Sequence, residues 1–147
     1  LGNVPVIPEP LLTELDTGIV TDSSLETVRK EQPELWRRFQ TESWDAVPKA
    51  ESSDSLYRRA LSFWEAAVVR AREIDGAILS VTHAGFLQWI IKATTGDTRW
   101  MPLYPTGNCG VYHFTVRAEE STAAGVLGPY VSRWELIDHR VVDSSEG

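Results

Sequence analysis

Residues Ala77-Ile78-Leu79-Ser80-Val81-Thr82 form a short apolar run that ends abruptly at His83-Ala84-Gly85-Phe86. Six residues with three β-branched side chains fit a strand buried on both faces better than a helix. The Ala-Gly pair that follows fits a tight turn into a helix. In an open α/β sheet, ligands gather outside the carboxyl ends of the strands, where His83 would stand. Small residues behind it let backbone N–H groups at the helix start approach an anion closely. The run thus predicts a parallel strand over 77–82 with a chemically useful histidine at its end. A hydrogen-bonded boundary histidine is the plainer reading of the same residue.

The rest of the chain supplies the helices that such a strand needs. Ser23-Ser24-Leu25-Glu26 matches a capping box and predicts a short helix starting near Leu25. Pro33 opens a second short helix carrying Leu35, Trp36 and Phe39. Thr41 to Ser53 is irregular. A long helix is predicted from about Asp54 to Ile74, with Leu56, Ala60, Phe63, Ala67, Ala71 and Ile74 at helical spacing, ended by Asp75-Gly76. The helix after His83 spans about Gly85 to Thr95 and stops at Gly96. Two late strands, Gly110 to Arg117 and Tyr130 to Asp138, flank an Ala/Gly loop over 123–128. Residues 1–22 read as an extended lead-in and a loop. This order of elements is an α/β plan.

Composition narrows the function. With 147 residues, 42% hydrophobic and six Trp, the chain can bury a core. A net charge of −7 argues against nucleic acid as a partner, since phosphate backbones require clustered Lys and Arg. No apolar run approaches the roughly 20 residues of a membrane span, so no membrane partner is expected. The single Cys109 excludes an internal disulfide framework and fits the cytoplasm. No secretory signal pattern opens the chain. Three scattered histidines and one cysteine lack zinc spacing, and no phosphate-binding Gly-x-x-x-x-Gly-Lys-Ser/Thr or Gly-x-Gly-x-x-Gly loop is present, so neither metal nor cofactor is expected. A nucleophile elbow of the Gly-x-Ser-x-Gly type is also missing.

Two further segments carry chemistry. In Leu12-Thr13-Glu14-Leu15-Asp16-Thr17-Gly18, Glu14 sits in a Gly-ended loop from which a carboxylate can give or take a proton, or simply be solvated. In Ala50-Glu51-Ser52 through Arg59, serines cap the long helix and Arg59 closes its second turn; a cap with surface charge is the structural reading. Taken in order with Val81-Thr82-His83-Ala84-Gly85, these pieces resemble the histidine phosphatase superfamily, the phosphoglycerate mutase-like fold. The Glu14–Gly18 run looks like the corresponding loop of fructose-2,6-bisphosphatase domains. Pro105-Thr106-Gly107-Asn108-Cys109-Gly110-Val111 is similar to the family's Asn-led strand, and Trp134-Glu135-Leu136-Ile137 to its last strand.

The resemblance implies a three-layer α/β sandwich and phosphoryl transfer through a phosphohistidine. It implies Glu14 as general acid and His83 as the phosphate-holding histidine, both catalytic, with the Ala84 N–H adding to substrate binding. The partner it implies is a small phosphorylated molecule. The family's nucleophile lies in an N-terminal Arg-His-Gly motif, and none of His83, His113 and His139 stands in one. The sequence begins at Leu1 rather than Met, and residues 1–147 read as one such domain without its first strand and nucleophile loop. That leaves two expectations: a phosphatase whose nucleophile is encoded upstream, or a catalytically dead domain serving as a binding or structural module. An unpaired strand edge at 77–82 would also invite a homo-oligomer.

Overall fold

The computed structural model describes residues 4–74, 76–104, 107, 109–116 and 131–137. His139, Asn108 and the 123–128 loop lie outside them.

Ser24 opens helix α1 (Leu25–Glu31), its hydroxyl accepting from the Thr27 N–H at 3.0 Å. The helix starts at Leu25, where the sequence pattern placed it. Gln32 ends α1 and begins α2 (Pro33–Glu42), where Pro33 sits at a position whose N–H would have no helical acceptor. Both short helices bury one side chain each, Val28 and Phe39, in a small core with Val20 and Val47. Phe39 anchors it through edge contacts with Trp44 and Trp100, at ring separations of 4.9 and 5.6 Å.

The main core lies between α3 (Ser53–Glu73) and α4 (Ala84–Thr95). The stripe Leu56, Ala60, Phe63, Trp64 and Val68 on α3 faces Phe86, Trp89, Ile90 and Ala93 on α4. Ala60 and Ala93 are fully buried in this core. Helix α4 stops at Gly96, whose φ of 70° favours glycine, and Gly96 and Asp97 both donate to Lys92 O.

Strands β1 (Val111–Val116) and β2 (Val131–Ile137) pair antiparallel, Val111 opposite Ile137 and Phe114 opposite Trp134, with an irregularity at Thr115/Val116. Phe114 meets Trp64 edge-on at 5.3 Å, which seats the hairpin against α3. Along β1, exposed and half-buried residues alternate, and both strands fall within the late segments expected from the sequence.

The predicted strand over 77–82 does not form. Among the described residues the segment pairs with no strand, and Leu79 and Val81 are about four-fifths exposed. The reason is physical: an extended segment gains stability only from a neighbour's backbone hydrogen bonds, and the sheet among the described residues contains β1 and β2 alone. What is observed is a helix-rich domain with a two-stranded sheet, consistent with an α/β fold. Among the described residues, a three-layer sandwich is not seen. Among the described residues, no helix is long and apolar enough to cross a membrane.

Candidate functional site

The loop before α1 is shaped by its own side chains. Glu9 caps a 3-10 turn over Pro10–Leu12. Asp16 accepts from the Gly18 N–H at 2.8 Å, turning the chain at a residue with φ 58°. A Cβ at Gly18 would lie 2.4 Å from Pro48 O and from Ala50 N, so only glycine lets these backbones meet. Ile19 N to Pro48 O and Glu51 N to Asp16 O then zip the loop onto the segment preceding α3.

Arg59 ties this loop to α3. Its guanidinium makes a bidentate pair with Glu51 (3.0 and 2.7 Å), and Nη1 donates to Leu11 O and Thr13 O at 2.9 and 2.8 Å. The same group lies 3.8 Å over the Phe86 ring of α4. With 16% of its side chain exposed, Arg59 is an internal strut rather than a surface charge. Thr82 adds a third tie, its hydroxyl donating to Leu12 O at 2.7 Å.

These ties present Glu14 to the first turn of α4. Its Oε1 accepts from Phe86 N at 2.9 Å and from Leu15 N at 2.9 Å, and its Oε2 accepts from Gly85 N at 3.3 Å. Glu14 and Phe86 are 72 positions apart in sequence. The N-terminal end of a helix favours negative charge, and unpaired N–H groups there take a carboxylate readily. Gly85 permits the approach: a Cβ would stand 2.8 Å from Glu14 Oε1 and from Leu15 Cδ2.

His83 is the N-cap residue of α4. It is exposed, its side chain makes no capping hydrogen bond, and its carbonyl accepts from Leu87 N at 2.9 Å. Among the described residues, nothing accepts from the Ala84 N–H. The structure therefore brings Glu14, His83 and Ala84 together at one helix end. It differs from the sequence expectation in one respect: the two N–H groups after Ala84 already hold Glu14. His113 is elsewhere, on β1, with Nδ1 3.0 Å from Glu135 Oε1 on β2. A shallow recess along α3, lined by Ser62, Glu65, Val69 and Glu73, contains none of these groups. No cluster of His, Cys, Asp and Glu among the described residues could hold a metal ion.

Two features had no clear sequence signal. Glu51 and Arg59 are eight positions apart, outside the spacing of helical ion pairs. Lys92 is fully buried within the apolar helix α4, where burial pushes its pKa below the usual lysine value; a charge inside Trp89-Ile90-Ile91-Lys92-Ala93 was the available hint.

This architecture accompanies a family match. The model of the histidine phosphatase superfamily (branch 1) matches residues 1–126, and the chain belongs to that superfamily. Phosphoryl transfer is the general chemistry to which membership points. Searches of curated proteins and of solved structures returned no match.

Proposed function

We propose that this domain serves phosphatase-type phosphoryl transfer through a phosphohistidine, acting on a small phosphomonoester in the cytoplasm. In this reading the His83 imidazole donates to a phosphoryl oxygen, and the Ala84 N–H adds a second donor. Such donors stabilise charge on the equatorial oxygens as the phosphoryl group is transferred. Glu14, in its protonated form, gives its proton to the leaving oxygen and so spares the substrate an alkoxide. The observation that carries the reading is the seat of the Glu14 carboxylate on the first turn of α4, next to His83. To reach a leaving oxygen, the carboxyl must let go of at least one of the Gly85 and Phe86 N–H groups.

The phosphoryl-accepting histidine is not supplied by an Arg-His-Gly motif in residues 1–147. The reading therefore calls for that motif upstream of Leu1, and sequencing the gene there tests it directly. In a form that carries it, His83→Ala should lower turnover about 10²–10³-fold, the usual worth of one preorganised donor. Glu14→Gln should harm hydrolysis of an alkyl phosphate far more than that of p-nitrophenyl phosphate, whose leaving group barely needs a proton. Equal losses on both substrates would refute the acid role. A second reading, a dead domain used for binding or packing, draws on the same seat: Glu14 already fills helix N–H groups that an anion would use. An upstream reading frame without Arg-His-Gly decides for it.

A further inference from the structure

Inside α4, two polar side chains do work that neither reading above uses. Gln88 and Lys92 stand one turn apart, 8% and 0% exposed. Lys92 Nζ donates to Pro102 O at 2.9 Å. Gln88 Nε2 donates to Tyr104 O at 2.6 Å, and Gln88 Oε1 accepts from Tyr104 N at 2.7 Å. Apolar contacts alone would let an extended segment slide along a helix. Directed bonds to two backbone positions fix its register.

The geometry also fixes a direction. Four helical residues rise about 6 Å, and two extended residues span about 6.6 Å. Residue 102 is held at Lys92 and residue 104 at Gln88, so the chain runs antiparallel to α4, toward its His83 end. One further turn back from Gln88 is Ala84. Gly107 is three residues past Tyr104, hence within about 11 Å of it. There Gly110 N donates to Gly107 O at 3.1 Å and Cys109 adopts φ 60°, closing a turn.

We propose that Gln88 and Lys92 are positioning residues, which hold the 102–104 backbone so that Gly107, Cys109 and Gly110 stand beside His83 as one wall of the site. They act through the backbone of Pro102 and Tyr104 and touch no substrate. The proposal rests on the reading of His83 as a site residue, but its test needs no turnover.

Cys109 is exposed and is the chain's single cysteine, so a nitroxide can be placed on this turn alone. Proton NMR of the histidine rings, with His83 assigned by a His83→Asn variant, then reports its distance from the label. In the wild-type chain the His83 ring signals should be strongly broadened by the nitroxide and recover on its reduction. Lys92→Met, which keeps the volume, and Gln88→Leu should each reduce that broadening severalfold, with the helical circular dichroism retained. Unchanged broadening in a folded variant would show a structural role only and overturn the proposal. Should a variant fail to fold, the wild-type spectrum still decides: an unbroadened His83 places the turn elsewhere. Loss of phosphatase activity in any form leaves this measurement untouched.

Discussion

Loop 11–16 and segment 77–82 are joined by Thr82 Oγ1 to Leu12 O, yet they hold their conformations in different ways. The loop buries Leu15 and packs Leu11 and Leu12 against the main core, and nearly every turn of it is also fixed by a directed bond: Glu9 to Leu11, Asp16 to Gly18, Arg59 to Leu11 and Thr13, Glu14 to Gly85 and Phe86. The segment has the stronger strand composition yet, among the described residues, remains exposed and pairs with no strand. Hydrophobicity is non-directional and roughly proportional to the area buried, so it acts only where there is a surface to be buried against. Directed polar contacts can specify a loop from within one chain. A strand's apolar faces specify nothing until a neighbour is present.

The sharpest way to break this comparison is to remove the loop's central tie. Arg59→Met strands the Glu51 carboxylate, 17% exposed, and frees two carbonyls. Losing one partner of a buried pair costs on the order of 3–5 kcal/mol, and partial exposure favours the lower end. Urea unfolding should show a loss of about 3 kcal/mol, with the double variant Arg59→Met/Glu51→Met losing less than the single one. A loss within 0.5 kcal/mol, about what an ordinary surface substitution gives, would mean that the loop is held by something other than its polar bonds.

A smaller effect is expected at Gly85. Ala there puts a methyl 2.8 Å from Glu14 Oε1 and from Leu15 Cδ2, and overpacking of this kind costs about 1–3 kcal/mol. In a Glu14→Ala background one of the two clashes is gone, so the penalty should shrink without vanishing. An identical penalty in both backgrounds would place the Glu14 carboxylate away from the first turn of α4.

The other end of α4 offers a pH test of the same kind of polar contact. Asp97 accepts from Arg99 Nε and from the Arg99 N–H, which hold its carboxyl down at about 2 against an ordinary 3.8. The sign follows from linkage. The native state keeps Asp97 ionised where the unfolded chain has begun to bind a proton, so the stabilisation is complete above about pH 4 and fades as pH falls toward 2. Because the Arg99 side chain is 77% exposed, the effect is smaller than at Arg59. Asp97→Asn should melt below wild type at neutral pH, and the gap in Tm should close between pH 4 and 2. A gap that persists at pH 2 would assign the stabilisation to shape rather than charge.

Much of the helical plan was legible because each helix carries local signals. Pro33 opens α2, a serine caps α3, Gly96 stops α4, and the apolar stripes of α3 and α4 repeat at helical spacing. The two late strands were legible as β segments, Gly110 to Arg117 and Tyr130 to Asp138. The ordered set Glu14, Glu51-Ser52 and His83-Ala84-Gly85 was legible as a family pattern, and residues 1–126 match that family. Less was readable where the determinant is not local. The fate of 77–82 depends on strands outside its own sequence, and the Arg59 and Gln88/Lys92 contacts span separations that no helical or strand period predicts.

The smallest expected effect bears on the exposed half of the comparison. Leu79 is 82% exposed and Val81 80%. In this 147-residue chain, Leu79→Ser and Val81→Thr should each change stability by less than about 0.5 kcal/mol, as surface substitutions do. Truncating a buried leucine costs about 2–5 kcal/mol instead, so the two states of the segment are well separated. Amide exchange supplies an independent readout. Among the described residues, the N–H groups of 77–82 meet no backbone acceptor and should exchange far faster than those of α4. Slow exchange together with a large Leu79→Ser penalty would show the segment paired in solution, either with a strand of this chain or with a second copy. Dilution distinguishes these: only pairing between copies weakens as the concentration falls.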